Sequence, residues 1–508
     1  MVAAVVAGLV LATIAALSLQ APGFALRAAE WSALRFTVGQ AALSALVSSA
    51  LAVPLARALA RRQFPLRRAL LTLLGAPFLL PVVVAVLGLL AIFGRAGWLN
   101  TALAGLGLPQ VSVYGLHGVV LAHVFLNLPL ATRMILLGWH AIPAERFRLA
   151  DSLGLGPAAQ RRHLEMPMLR QILPGVAAIV FVICLSSFVV ALTLGGGPRA
   201  TTLELAIYQA LRFDFDLGRA ALLALAQFAL CSTAVLAASR LTLPPATGPG
   251  MDRSLSIAGP PGWRRSADAA VIAAATLFLL LPIAALLLDG LRGLGDLPQT
   301  VWRAAATSLI MASLSAALST GTALCLALSC AARGPGAALI EQAAMLPLAV
   351  SSLVFGTGLF LLIRGALSPQ QIALPLTIVT NALTALPFVF RILLPPARVL
   401  HADYDRLAAA LNLTGLNRLR VLTLPRLSRS IGLGAGIAAV LSLGDLGVIT
   451  LFADPATTTL PLLIARLTGS YHTDQAAGVA LILLALGVAL FRLCDWIGEA
   501  KGHHDAAP

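Results

Sequence analysis

The chain has 508 residues, of which 59% are hydrophobic and 11% are charged, and its formal net charge is +15. A soluble protein carries about 25% charged residues, so this composition excludes a soluble fold and predicts an all-α polytopic membrane protein. A transmembrane β-barrel would show short alternating segments in place of these long apolar runs. The arginines lie in short loops between the runs, which indicates membrane orientation and no nucleic-acid partner.

Twelve apolar runs are each long enough to cross a hydrocarbon core of about 30 Å at about 1.5 Å per residue. In chain order they cover 2–19, 34–57, 69–94, 115–138, 170–194, 219–239, 268–290, 304–330, 337–363, 372–395, 428–452 and 475–495. No positive charge precedes the first run and no good cleavage site follows it. It is therefore predicted to be a spanning helix rather than a signal peptide.

Arginine is concentrated in the loops that follow the second, fourth, sixth and tenth runs. The positive-inside rule places these loops on the cytoplasmic side of the membrane, together with both termini.

The chain is predicted to consist of two repeats, 1–240 and 268–497. Pro129 and Arg133 recur as Pro387 and Arg391, 258 positions later. Each repeat holds six runs, an even number, so both repeats enter the membrane from the same side and are parallel. A cytoplasmic linker rich in proline and glycine, 241–267, joins them, and 498–508 is predicted to be a cytoplasmic tail.

Each repeat carries a polar insert between its fourth and fifth runs, at 140–169 and 397–427. In the second copy Tyr404, Leu407, Ala408 and Leu411 have the spacing of one helix face. Leu149, Ala150 and Leu153 occupy the matching places in the first copy, and the central alanine is expected to let a partner backbone approach closely.

A turn and a second helix are predicted to complete each insert. Gly154 and Asn412 are the residue types that best tolerate the left-handed conformation that ends a helix. Leu164 and Leu422 then begin the segments LEMP and LTLP. Their prolines, Pro167 and Pro425, suit the first turn of the next helix. Such an amphipathic insert either lies on the bilayer surface or docks into another protein, and two copies with equal spacing favour two equal partners.

Lys501 is the only lysine of the chain. A P-loop needs the sequence Gly-Lys-Ser/Thr, so any ATP that drives this protein is bound by another chain. The five cysteines all lie in apolar stretches without metal-ligand spacing, so neither a metal site nor a disulfide is expected.

The two inserts resemble the EAA loop of ABC importer permeases. The spacing from Gly154 to Pro167, and from Asn412 to Pro425, is that of the family, although Arg148 and Arg406 stand where the family has glutamate. Nearly the whole chain resembles the fused permeases of bacterial thiamine and thiamine pyrophosphate ABC transporters. The segments that carry this likeness begin at Leu194 and Ser442.

The resemblance implies a type I ABC importer permease in the bacterial inner membrane, one that translocates thiamine and its phosphate esters by alternating access. It implies two copies of a separate ATPase that bind ATP and Mg²⁺, one periplasmic binding protein, and neither an enzymatic activity nor a cofactor in this chain. The residues implied to couple to the ATPase are Leu149, Ala150, Leu153, Gly154, Leu164, Pro167, Leu407, Ala408, Leu411, Asn412, Leu422 and Pro425.

Asp445 is a carboxylate inside an apolar run, and Ser187 is its counterpart in the first repeat. An intramembrane carboxylate usually faces a cavity or a partner, and thiamine is a cation, so both residues are candidates for the translocation path. The alternative is that Asp445 accepts hydrogen bonds from neighbouring backbone N–H groups beside Gly444 and Gly447.

The sequence is also compatible with other functions. A ferric-ion, polyamine or related ABC permease would share these features. A secondary transporter of six-plus-six design would explain the parallel repeat but not the paired inserts. A membrane enzyme is disfavoured because the chain has no HExxH or GxSxG motif.

Overall fold

The computed structural model describes residues 1–23, 25–74, 80–197, 200–241, 262–332, 334, 336–364, 369–452 and 458–503. These residues form helices and their connecting turns, and no strand occurs among them. Eleven helices of this described part are long and apolar enough to cross a membrane, and a bent helix pair provides a twelfth candidate. The prediction of an all-α polytopic membrane protein is therefore confirmed.

The helices of the first half are α1 Val2–Gln20, α2 Ala28–Arg61, α3 Arg67–Leu73, α4 Val82–Phe93, α5 Trp98–Gly105, α6 Leu116–Ala141, α7 Ala144–Ser152, α8 Pro157–Gln160, α9 Met166–Leu185, α10 Phe188–Leu194, α11 Leu203–Arg212 and α12 Leu217–Leu241. Those of the second half are α13 Trp263–Gly293, α14 Thr300–Ala331, α15 Ala337–Met345, α16 Ser352–Ile363, α17 Pro369–Ala410, α18 Gly415–Arg418, α19 Leu424–Leu443, α20 Gly447–Phe452, α21 Leu460–Gly469 and α22 Thr473–His503.

Several predicted spans are interrupted rather than straight. The run 337–363 forms α15 and α16, which are bent by 98°, because Pro347 lies in a short 3₁₀ turn and Ser351 caps a new helix by accepting a bond from the Val354 N–H. The run 69–94 is divided between α3 and α4, and its centre, 75–79, lies outside the described residues.

The spans at 170–194 and 428–452 break at equivalent places. The first ends α9 at Leu185 and begins α10 at Phe188, and the second ends α19 at Leu443 and begins α20 at Gly447. In both copies the first segment has 20 residues and the second is a short helix of seven or six residues.

The chain forms two compact units that do not coincide with the sequence halves. The N-terminal unit comprises Leu26–Leu205 and Leu230–Leu288, and the C-terminal unit comprises Met1–Ala25, Ala206–Ala229 and Asp289–Pro508. The first helix of each sequence half thus belongs to the other half's unit. The repeat boundaries 1–240 and 268–497 remain a prediction, and most of the linker (242–261) and part of the tail (504–508) lie outside the described residues.

In the N-terminal unit α2, α6 and α9 pack against one another, and α4 and α10 pack against α6. Helix α13 joins this core: the Phe278 ring meets the Phe125 ring edge to face at 5.8 Å. Gly88 of α4 lies so close to α13 that a Cβ there would be 2.7 Å from the Pro282 carbonyl oxygen.

In the C-terminal unit α14, α17 and α19 form the corresponding trio, α22 packs along α19, and α1 packs against α16. Glycines permit the closest of these approaches, as is usual between membrane helices. A Cβ on Gly432 of α19 would lie 2.5 Å from the Cys494 carbonyl oxygen and 2.9 Å from the Gly498 Cα of α22.

This packing predicts that Gly432→Leu lowers the free energy of unfolding by about 1–3 kcal/mol, since backbone atoms cannot move aside as a flexible side chain would. The matched control is Gly321→Leu in α14, where an added Cβ meets no atom within 4 Å. Thermal unfolding of the two purified variants in detergent measures the difference. Equal midpoints for both variants would contradict the close approach of α19 and α22.

Candidate functional site

The two polar inserts have the same order of elements. The first insert consists of α7, α8 and a π-helical turn, Arg161–Glu165, which leads into α9. The second consists of the end of α17, α18 and a π-helical turn, Leu419–Thr423, which leads into α19. The first arm of each insert is the helix before its sharp turn, and the second arm is the short helix and π-helical turn after it. Each element of the second arm begins 258 positions after its counterpart, so the repeat seen in the sequence is also present in the structure.

The sharp turn within each insert is built from the same hydrogen bonds. Gly154 has φ +66° and Asn412 has φ +52°, as the sequence predicts for left-handed positions. The next residue in each copy bonds back across the turn: Leu155 N–H to the Ala150 carbonyl at 2.9 Å, and Leu413 N–H to the Ala408 carbonyl at 2.8 Å. This six-to-one bond is that of the Schellman motif, which satisfies the free carbonyls at a helix end.

The alanines and leucines of the first arm face in different directions. Ala150 and Ala408 are only 4% and 1% exposed. A partner chain cannot reach these alanines from the exposed surface, so the expectation that its backbone approaches them there is wrong. Each alanine directly follows one of the leucines, and successive residues of a helix are rotated by about 100°, so the alanine points inward where the leucine points outward. The residues that face outward are leucines, between 52% and 66% exposed: Leu149, Leu153, Leu407 and Leu411.

The remaining predicted insert residues lie on the second arm. Leu164 and Leu422 are half-buried, and Leu164 packs against the core of the N-terminal unit. Pro167 and Pro425 are the second residues of α9 and α19, directly after the π-helical turns. A wider turn before a proline accommodates the missing N–H and the ring.

Side-chain bonds join the two arms of each insert. In the first, the Gln160 amide donates to the Asp151 carboxylate at 2.6 Å. In the second, Arg418 occupies the position equivalent to Gln160 and forms a salt bridge with Asp405. His401 lies 2.9 Å from the other oxygen of the same carboxylate. The two copies therefore close the same shape with different chemistry.

The inserts differ in how they leave the preceding span. Helix α6 ends at Ala141, Ile142 is extended, and α7 begins after Pro143. A residue before proline is disfavoured in the helical conformation, which explains the break. In the second copy position 401 is histidine, and α17 continues without interruption to Ala410. The predicted short helix at 404–411 is thus the last part of a 42-residue helix.

A buried ion cluster that the sequence reasoning missed anchors the first insert. Glu165, at the end of the π-helical turn, accepts from Arg57 Nε at 2.8 Å and from Arg61 Nη2 at 2.6 Å. The Glu165 side chain is 2% exposed. Both arginines lie at the end of α2, more than 100 positions before their partner, so sequence spacing gives no indication of the pairing.

The two candidate path residues lie at the equivalent helix breaks. Ser187 donates to the Cys184 carbonyl at 3.0 Å and precedes α10. The Asp445 Oδ1 accepts from the Gly447 N–H at 3.3 Å, as the backbone-bonding alternative requires. The Oδ2 atom is buried without a hydrogen-bond partner in the described part of the chain.

Known proteins with similar sequences decide the family. The chain is 40% identical to the thiamine transport system permease protein ThiP of Escherichia coli (strain K12), over 92% of this chain and 88% of that protein. The chain belongs to the family of thiamine transport system permease proteins. The corresponding protein of Brucella abortus (strain 2308) is 40% identical over 94% of this chain and 91% of that protein. No family model matches the chain.

Membership in this permease family confirms the predicted fused ABC importer permease as a multi-pass inner-membrane protein. A molybdenum transport system permease protein, ModB of Mycobacterium bovis, is 32% identical over 182 residues, which are 35% of this chain and 67% of that protein. A permease about half as long as this chain thus matches part of it, as expected if two permease repeats are fused.

Proposed function

We propose that this chain is the translocation subunit of an ATP-driven importer for thiamine and its phosphate esters. The observation that carries the proposal is the sequence similarity to permeases named for thiamine transport, which extends over nearly the whole chain. The paired inserts support the mechanical part, because a chain without a P-loop needs a separate motor.

Two copies of an ATPase subunit dock on the inserts in this proposal. The exposed leucines lie on a polar insert rather than on a membrane-spanning face, and covering them removes apolar surface from water at about 25 cal/mol per Å². The same leucine pair occurs on both inserts with the same turn behind it, which favours two identical partners. ATP and Mg²⁺ are bound by these partners, and this chain performs no chemistry.

The arginine-rich loops favour an orientation with both inserts and both termini in the cytoplasm. One periplasmic binding protein would then deliver substrate at the opposite face. Closure of the ATPases moves the inserts, and the inserts move the spans to which they are joined. The rigid Schellman turns and the bonds between the arms let each insert move as one piece.

Asp445 is proposed to line the path of the cationic substrate, with Ser187 at the equivalent place in the other repeat. A buried carboxylate oxygen without a partner is costly, and a passing cation would compensate that cost. This assignment treats the bond to Gly447 as structural and the second oxygen as functional.

The proposed function predicts that cells lacking thiamine synthesis accumulate labelled thiamine only when this chain is present with its ATPase and binding protein. Uptake of labelled thiamine is measured with and without the chain. Uptake of ferric ion or putrescine in parallel identifies the alternative importers, and uptake that persists without ATP would indicate a secondary transporter.

The docking surface predicts that Leu407→Asp combined with Leu411→Asp weakens ATPase binding by about 2 kcal/mol, roughly 30-fold. Leu149→Asp with Leu153→Asp is expected to act similarly, because the exposed faces match. Leu106→Asp is the control, since this leucine is 74% exposed in a loop outside both inserts. Copurification of the ATPase checks the outcome, and normal recovery with both double variants would exclude the leucines.

The path assignment predicts that Asp445→Asn lowers thiamine uptake about tenfold, the effect of losing one charged contact, while ATPase copurification is unchanged. Asparagine keeps an oxygen for the Gly447 N–H, so the variant removes the charge and retains the helix-break bond. Uptake at the wild-type rate would show that the carboxylate serves only the local backbone.

A further inference from the structure

The buried ion cluster at Glu165 has no counterpart at the equivalent positions of the second repeat, all of which the structure describes. The repeats can be aligned at α2 and α14 by one shared bond: Leu203 N–H donates to Thr37 Oγ1, and Leu460 N–H donates to Ser308 Oγ. Position 308 follows position 37 by 271 residues. The same shift pairs Ala52 with Ala323, and both are buried.

This alignment identifies the residues that replace the cluster. Arg57 corresponds to Leu328 and Arg61 to Ala332, while Glu165 corresponds to Thr423, 258 positions later. The second repeat thus has apolar residues and a hydroxyl where the first has three charges. The Thr423 hydroxyl donates locally, to the Arg418 carbonyl at 3.3 Å.

The repeat that lacks the cluster is the one with an uninterrupted helix. The second insert is the direct continuation of α17, so any displacement of its first arm is a displacement of the span itself. The first insert is separated from α6 by the extended Ile142 and by Pro143. Rotation about the backbone dihedrals at this break changes the angle between α7 and α6, and the side-chain packing that opposes it comes from Ile142 and Phe147, which are buried in the core of the N-terminal unit.

We propose that Glu165 is a positioning residue that couples the first insert to the membrane bundle through Arg57 and Arg61 of α2, in place of the helix continuity that Pro143 removes. Both inserts continue into a fifth span through their second arm. The cluster adds a link from the second arm of the first insert to α2, whereas the added link of the second insert is the continuity of its first arm with α17. This inference rests on the proposed function, because it assigns Glu165 a part in transmitting ATPase movement.

The chemistry of the cluster suits a rigid connection. One carboxylate receives two charge-assisted hydrogen bonds from different turns of α2, which restrains both its position and its orientation. The Glu165 and Arg61 side chains are 2% and 8% exposed, which keeps water from the bond between them, whereas the Arg57 side chain is 28% exposed. A buried ion cluster contributes little net stability compared with well-packed apolar residues, so its retention in one repeat alone points to a role in fixing geometry.

The test uses the residues of the second repeat as replacements. Glu165→Thr alone leaves two arginines without their buried partner and is expected to misfold in part. The triple variant Arg57→Leu, Arg61→Ala, Glu165→Thr removes all three charges together. We expect it to copurify with the ATPase at the wild-type level but to transport about tenfold less thiamine per ATP hydrolysed, a coupling energy typical of linked sites.

A second substitution distinguishes coupling from simple stability. Pro143→His places the residue of the second repeat at the break and allows α6 to continue into α7. Added to the triple variant, it is expected to restore most of the lost transport per ATP, because continuity then replaces the cluster. The paired variant Arg62→Leu, Asp268→Leu is the control: it removes the neighbouring 2.7 Å ion pair of α2, which does not involve the insert.

Two outcomes would overturn the inference. Wild-type coupling in the triple variant would show that the cluster serves only folding, and a coupling defect that Pro143→His leaves unchanged would show that continuity is not what the cluster replaces. Failure of the wild-type protein to transport thiamine is a separate result, which would contradict the proposed function.

Discussion

In a lipid environment the backbone has no water to satisfy it, so every interruption of a helix must find hydrogen-bond partners within the protein. The structure meets this constraint with side chains at equivalent places in both repeats. Thr37 and Ser308 each accept the first N–H of a helix that begins inside its unit. Ser187 and Asp445 serve the two breaks in the fifth spans of their repeats. The proposed path residues therefore lie at the helix breaks and bond to the backbone there.

Features that depend on neighbouring residues could be predicted from the sequence. Apolar runs of about 20 residues gave most of the spans, because the cost of unsatisfied backbone in lipid leaves little choice but a helix. Gly154 and Asn412 were correctly expected in the left-handed conformation, since few other residue types adopt it readily. The sequence repeat of 258 residues is matched in the structure by the same turn hydrogen bonds in both inserts.

Features that depend on distant parts of the chain could not be predicted. The spacing of Ala408 among leucines indicates a helix face but not which side turns inward, and the structure buries the alanine. A glutamate within a basic insert looks like a solvated charge, yet Glu165 is held by arginines 104 and 108 positions earlier. The continuity of α17 was missed because Pro395 and Pro396 lie within it, and prolines usually end or kink a helix.

Fusion of two permease repeats in one chain removes the requirement that both halves be identical. In a homodimer a proline at the start of the insert, or an arginine pair on the second span, would appear twice. Here Pro143 and the Glu165 cluster occur in one repeat, while His401 and an unbroken α17 occur in the other. The turn and its outward leucines are the same in both. The same shape at the exposed face of both inserts, with different attachments to the bundle, fits the proposed docking of two identical partners on two unlike halves.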